Sequence, residues 1–426
     1  MPPATTLDER FEQACAKGEI PHAVLLATNA SGTFRYEKTF GVHDIADPAR
    51  TPIAPTAIMW IASCTKLMTT LAALQCVSRG QVKLDEPVAP LLPELAAPDI
   101  ITSIDDATGA PVLRKSTTPM TLRHLLTHTS GLAYDIMSGR VAAWRRSRGE
   151  PVGPKLGSVV ERFATPVVFE PGTGFAYGPS IDWAGKLVER ANGGQDLEAY
   201  LQANVWGPLG VRDMTFDLGR RPELGARLAG TAERGPDGRL GVNDLGDMMY
   251  TGATELMGGH GIFAPATEYI KVLRAVLARD ARLGIGAELW AEAFSPQLGE
   301  GSRAALGQQL GDEQLNRIFA GTPGDPTRKD WGLGGLLTLD AVEGDDVGLL
   351  GGPVEGRRPL TMSWGGLPNL VWWVDPTAGL AGIYAAQVTP PGDKVCSDLN
   401  RVFETDVYRV YGAWREERYE GREEKL

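Results

Sequence analysis

Apolar side chains recur along this chain at two spacings. Leu7, Phe11, Ala14 and Cys15 fall on one side of LDERFEQACAKG when it is wound at helical pitch, so a helix opens the chain. HAVLLATNASGTFRYEKTFGV then shifts to β-branched and aromatic residues on either side of Asn29-Ala30-Ser31-Gly32, which predicts a hairpin. Residues 63 to 79, SCTKLMTTLAALQCVSR, are rich in Leu and Ala and are closed by Gly80, a second helix.

The middle of the chain, residues 81 to 250, mixes short amphipathic runs with Pro and Gly loops. TPMTLRHLLTHTSGL carries a capping threonine and ends at Gly131, IDWAGKLVERANGG stops at a glycine pair, and GGHGIFAPATEYIKVLRAVLARD is a glycine-rich entry to a further helix. Residues 295 to 330 hold few large apolar side chains and read as a surface insertion. Toward the C-terminus WGLGGLLTL, PLTMSWGG, NLVWWVDP and GLAGIYAAQV are short strands between turn residues, and KVCSDLNRVFETDVYRVYG is a closing helix. The order implies an α/β fold with one sheet assembled from both chain ends and a helical region inserted between them. The expected division is residues 1–62 with 255–426 as a discontinuous sheet domain, 63–254 as a mainly helical domain, and a site between the two.

Composition narrows the function. The chain has 426 residues, 43% hydrophobic and 22% charged, the profile of an ordinary globular protein. Its net charge of −11 repels phosphate backbones and anionic lipid, so neither nucleic acid nor a membrane is an expected partner. Cys15, Cys64, Cys76 and Cys396 lack CxxC spacing, which argues against a zinc ribbon or a disulfide framework and for reduced thiols. MPPATTLDERFEQACAKGEI is polar where a secretory signal would be apolar, and no apolar run of about 18 residues occurs; a cytoplasmic location is expected.

The chemistry is written in SCTK. Residues i and i+3 of a helix share a face, so Ser63 and Lys66 meet without help from the tertiary fold. A serine hydroxyl attacks poorly until its proton is taken, and an amine takes it only when neutral, a form favoured by burial and by the positive end of a helix dipole. The apolar run behind Lys66 supplies burial, and no carboxylate is adjacent on that helix.

Rival motifs fail on physical grounds. Ser363 in TMSWG misses GxSxG by one glycine, but all five histidines, His22, His43, His124, His128 and His260, precede it, the wrong order for an α/β-hydrolase triad. His124 and His128 stand four apart on an expected helix without the glutamate of HExxH or a third ligand, and read as structural, with His128 bracing a turn. GGHG at 258–261 lacks a phosphate-cradle context and reads as a turn lining a cleft. Cys64 has no histidine beside it and reads as packing. Of the adjacent strand residues Trp372 and Trp373, one is expected in the core and the other along an acyl pocket.

SCTK, then VKLDEPVAPLLPEL, TLRHLLTHTSGL, PGTGFAYGPSIDWAGKLVER and a late WGG follow one another in an order and spacing that resemble the class C β-lactamase fold group over nearly the whole chain. Within it the chain is most similar to the family VIII carboxylesterases and the fungal lovastatin-type acyltransferases. The resemblance implies a β-lactamase or penicillin-binding-protein-like fold, an antiparallel sheet flanked by helices. It implies Ser63 as the acylated nucleophile, Lys66 as its hydrogen-bonded partner and Tyr177 as the general base that returns the proton to the leaving group. Trp364-Gly365-Gly366 then stands where β-lactamases carry Lys-Thr-Gly, with the glycines letting an edge strand approach the acyl group and the backbone N–H of Leu367 joining that of Ser63 as the oxyanion hole.

Two departures bear on activity. Trp364 removes the lysine that would bind an antibiotic carboxylate, and Pro179 replaces the asparagine of the class C YxN motif. What is implied is an acyltransferase or esterase that loads a short acyl group from an ester or thioester, with coenzyme A or an acyl carrier protein as donor, and passes it to a small-molecule alcohol or to water. No metal or organic cofactor is needed. The alternatives are a β-lactamase or D-amino peptidase, which needs a cationic anchor in the cleft, and a catalytically silent binding module.

Overall fold

In the computed structural model, which describes residues 6–153, 157–245, 254–319, 325–344 and 354–423, the two chain ends meet in one sheet. Strand β1 (His22–Asn29) turns back into β2 (Arg35–Gly41), as the Asn-Ala-Ser-Gly turn predicts. Five later strands complete the layer: β3 (Lys329–Trp331), β4 (Leu336–Thr338), β5 (Met362–Gly366), β6 (Leu370–Asp375) and β7 (Leu380–Ala385). Their order is β2-β1-β7-β6-β5-β4-β3, antiparallel throughout. β1 lies against β7 with Leu25 opposite Tyr384 and Leu26 opposite Ile383, which ties the first strand to the last.

Every residue of β1 is buried because both faces of the sheet are covered. Ala23, Leu25 and Ala27 point into a core with Phe11, Trp373, Tyr384 and Phe403, under helices α1 (Leu7–Ala16) and the long closing helix. Val24 and Leu26 point the other way, into the main core with Trp372, Ile383 and Leu273. Trp372 and Trp373 therefore divide between two cores, and neither lines the cleft. The acyl-pocket expectation for one of them is corrected: a covered sheet buries both alternating faces. Truncating either to alanine would cost about 3–5 kcal/mol.

The central helices sit against the main core. α2 (Thr65–Ser78) is buried at every position from Thr65 to Cys76, consistent with its Leu, Ala, Met and Thr content. It packs against α3 (Ser180–Ala191), whose Ile181, Trp183, Ala184, Leu187 and Val188 form the buried stripe. α4 (Ala266–Leu277) covers the main-core face of the sheet next to β1 and β7, and α5 (Lys394–Glu423) runs well past the expected end of the closing helix.

Two segments differ from expectation. Residues 300–319 are not a surface insertion: the helix Glu300–Leu310 buries Leu306 and Leu310, and Phe319 after the next short helix is 1% exposed and lines the cleft. Three apolar anchors among polar residues suffice because each fills a gap in an existing core. The hairpin Asp99–Ile104 with Pro111–Lys115 and the pair Thr231–Arg234 with Leu240–Asn243 add strands to the middle region. Pro111–Lys115 and Leu240–Asn243 have no buried residue, so no alternation announced them.

Candidate active site

The chain reaches Ser63 through a short strand, Met59–Trp60, paired with Phe263–Ala264. Ala62 then takes φ +42°, a left-handed conformation that is unusual for a residue with a Cβ and marks stored strain. A 3-10 turn, Ala62–Cys64, leads straight into α2. The turn is clamped on several sides. Ile61 N–H donates to Ile262 O at 3.1 Å, Tyr269 Oη donates to Cys64 O at 2.9 Å, and Ile262 N–H donates to Thr65 Oγ1 at 3.1 Å. From the sheet side, Gly366 comes so near that a Cβ there would sit 2.4 Å from Ile61 O. β5 is an interior strand of the sheet rather than an edge, but its ladder to β4 stops at Ser363, which leaves Gly365 and Gly366 free to face the turn.

Three side chains converge on this point. Lys66 Nζ lies 3.1 Å from Ser63 Oγ and Tyr177 Oη lies 2.8 Å from the same oxygen. Lys66 is 2% exposed and Tyr177 9% exposed, so the contacts are shielded from solvent. Tyr177 is delivered by the loop before α3: Ala176 N–H donates to His128 O, and Ser180 Oγ meets Ser130 Oγ at 2.7 Å. Pro179, in place of the asparagine, caps the start of α3 without a side-chain hydrogen bond.

The carboxylate missing from the sequence around Lys66 comes from α3. Asp182 is fully buried and accepts from Gly259 N–H at 2.9 Å, while Gly259 O accepts from Lys66 Nζ at 2.8 Å. Gly259 thus links Lys66 to Asp182 through its own N–H and C=O. Tyr134 Oη forms a second bridge, 3.4 Å from Lys66 Nζ and 3.5 Å from Asp182 Oδ2. Burial pushes the Asp182 carboxyl up, against the opposing pull of the Lys66 charge and the Gly259 N–H. Gly259 has to be glycine, since a Cβ would lie 2.4 Å from Asp182 Oδ2. The glycine-rich turn at 258–261 therefore does more than line the cleft: it holds the lysine.

Above these groups opens a cavity of about 1530 Å³, lined by Ser63, Tyr134, Tyr177, Phe319 and Trp364 at its inner end. It is larger than most small-molecule sites. Gly365, Gly366 and Leu367 line it beside Ser63. Trp364 packs on Phe319 at 5.4 Å and edge-on to Trp331 at 4.6 Å, so the inner wall is aromatic. Trp60, Tyr134, Phe163 and Phe319 were not singled out from the sequence. No motif marks them, and only the fold brings them together.

The rejected candidates sit elsewhere. Ser363 points to the opposite face from Trp364, buried, and accepts from an Arg357 guanidinium that is paired with Glu404. His124 lies on the short helix Leu122–Leu126 and accepts from Thr121 N–H in a capping box; His128 lies beyond that helix at φ +56°, so the two do not share a helix face as expected. His128 packs on the Tyr177 ring at 4.8 Å, and burial holds it neutral, well below the usual histidine range. Cys64 is buried and burial pushes its thiol up, which suits packing. Among the described residues no three His, Cys, Asp or Glu side chains are grouped to hold a metal ion, and no helix is long and apolar enough to cross a membrane.

An antiparallel sheet beside an SxxK helix, faced by a tyrosine from the loop that enters a second helix and by a glycine strand, defines the beta-lactamase type of serine-site protein. The Beta-lactamase family model matches residues 7–406, and the chain belongs to that family. Within it the chain is 38% identical to monacolin J acid methylbutanoyltransferase of Aspergillus terreus, covering 96% of both proteins. It is 37% identical to lovastatin esterase of Penicillium rubens, over 96% of this chain and 99% of that one. Its structure is similar to that of a mutant simvastatin synthase from Aspergillus terreus, with a TM-score of 0.85, 38% identity and coverage of 96% and 95% of the two chains.

Proposed function

We propose that the protein is a serine-dependent acyltransferase and esterase that loads a short acyl group on Ser63 and passes it to a small-molecule alcohol or to water. The observation that carries the reading is the double contact at Ser63 Oγ, with Tyr177 Oη at 2.8 Å and Lys66 Nζ at 3.1 Å in a shielded pocket. Relatives named for acyl transfer and for ester cleavage, alike in sequence over most of the chain, support both outcomes of one intermediate.

In the first half-reaction Ser63 Oγ attacks the donor carbonyl and gives its proton to the Lys66 and Tyr177 pair. Tyr177 hands that proton to the departing thiolate or alkoxide, leaving an ester on Ser63 and a free thiol or alcohol. The second half-reaction mirrors it, with the acceptor hydroxyl as nucleophile and Ser63 restored. The backbone N–H groups of Ser63 and Leu367 are the assigned oxyanion donors. Trp364, Gly365 and Gly366 form the wall against the acyl group, and an indole at the third motif suits a neutral acyl chain where a lysine would suit a carboxylate. A coenzyme A or carrier-protein thioester is the proposed donor, in a cytoplasmic setting, and the chemistry requires no metal or organic cofactor.

Fluorophosphonate labelling of the folded protein tests the nucleophile. The expected result is one adduct, on the peptide containing Ser63, blocked by prior exposure to a short-chain p-nitrophenyl ester. Labelling elsewhere, or none, contradicts the reading and favours a silent binding module. Nitrocefin turnover at rates comparable to ester turnover would instead favour the lactamase alternative.

A further inference from the structure

Trp364 touches more than the acyl space. Its indole N–H points at Tyr177 Oη, with Nε1 at 3.2 Å, while the same oxygen faces Ser63 on its other side at 2.8 Å. The ring that carries this N–H is packed between aromatic neighbours. It is 2% exposed, is pinned by Trp331 at 4.6 Å and Phe319 at 5.4 Å, and its strand position is fixed opposite Trp372 in the β5–β6 ladder.

Other tryptophans show that this bond is not a general habit of buried indoles. The Nε1 atoms of Trp206, Trp290, Trp372 and Trp373 have no hydrogen-bond partner among the described residues. Those of Trp60, Trp183 and Trp331 donate to backbone carbonyls. Trp364 donates to a side-chain hydroxyl, and that hydroxyl is the one beside the nucleophile.

We propose that Trp364 is a positioning residue for Tyr177: its N–H holds the phenol oxygen in line with Ser63 and stabilises that oxygen whenever it is without its proton. The inference rests on Tyr177 acting as the base. A donor hydrogen bond is stronger to an anionic oxygen than to a neutral one, so the N–H favours the proton-accepting form of the tyrosine. Being neutral, the indole does this without placing a desolvated cation against an apolar acyl chain, as an ammonium at the same position would.

The test removes the N–H and keeps the ring. Trp364 is replaced by 3-benzothienylalanine through a reassigned codon, with Trp364→Phe as a second variant and Tyr177→Phe as the reference for the base. Hydrolysis of ethyl butyrate and of p-nitrophenyl butyrate is followed against pH. Expected for the sulfur isostere is a fall in kcat of roughly tenfold or more for the ethyl ester, with KM within about threefold. The rise of kcat moves to higher pH, and the loss is smaller for p-nitrophenyl butyrate, whose leaving group departs without a proton. An isostere with the native kcat and pH profile overturns the positioning role, as does a change in KM alone, which marks a wall. If Tyr177→Phe keeps full activity the base assignment itself falls; if Tyr177→Phe is inactive and the isostere is normal, only the role of Trp364 falls.

Discussion

The two ends of the cleft are built differently. At the inner end, Ser63, Lys66, Tyr177, Tyr134 and Asp182 are held by a buried hydrogen-bond network, a strained Ala62 and two glycines that admit no side chain. At the mouth, Ile136 is 62% exposed and Met137 41% exposed, and both line the same cavity. Rigid groups with little freedom suit a reaction that always makes the same bonds. Exposed, adaptable side chains suit partners that vary in shape. On this view the inner end sets the chemistry and the mouth sets which acceptor is used.

The comparison breaks first at the inner end. Lys66→Ala and Tyr177→Phe should each lower kcat for ester hydrolysis by on the order of 10²–10⁴ while the protein stays folded. Steady-state kinetics beside a thermal melt would check this, and near-native rates in either variant would remove that residue from the mechanism. Asp182→Asn keeps the shape and an acceptor for the Gly259 N–H but removes the carboxylate, and should cost roughly tenfold in kcat. A loss confined to stability would make Asp182 a scaffold residue only.

Acidification probes three buried histidines, His128 and His260 beside the site and His22 at the start of β1. Burial lowers His22 to about 4 and holds His128 and His260 well below the ordinary histidine value of 6.5, so the folded state refuses protons that the unfolded chain accepts. Their contribution to stability is therefore full above pH 6.5 and is lost as pH falls below it. Protonation of these rings in the unfolded chain should therefore lower the thermal midpoint between pH 7.5 and 5.5. A flat midpoint would mean that these rings are protonated in the fold. The smallest effect is expected at the mouth, where Ile136→Ser with Met137→Ser should raise the KM for a bulky alcohol acceptor by about three- to tenfold. An unchanged acceptor KM would place acceptor binding elsewhere.

The same contrast explains what the sequence discloses. Ser63 and Lys66 are legible because helical spacing alone joins them, and the hairpin of β1 and β2 because its turn residues are local signals. Tyr177 is legible through its motif before α3. Asp182, Tyr134 and Phe319 are not, since each reaches the site through long-range packing of segments with no shared pattern. Residues 300–319 mislead for a related reason: few anchors bury the segment, so its composition resembles a loop while Phe319 forms part of the inner wall. Trp372 and Trp373 show the converse, where alternation is read correctly but the second covered face is not foreseen.

The central claim is a covalent acyl group on one serine, and intact-mass spectrometry tests it most directly. After exposure to butyryl-coenzyme A or p-nitrophenyl butyrate, the wild-type protein should gain one butyryl mass, lose it on addition of an alcohol acceptor, and carry it on the Ser63 peptide. Ser63→Ala should show neither the adduct nor turnover. An adduct on another residue, or turnover that survives in Ser63→Ala, would contradict the account.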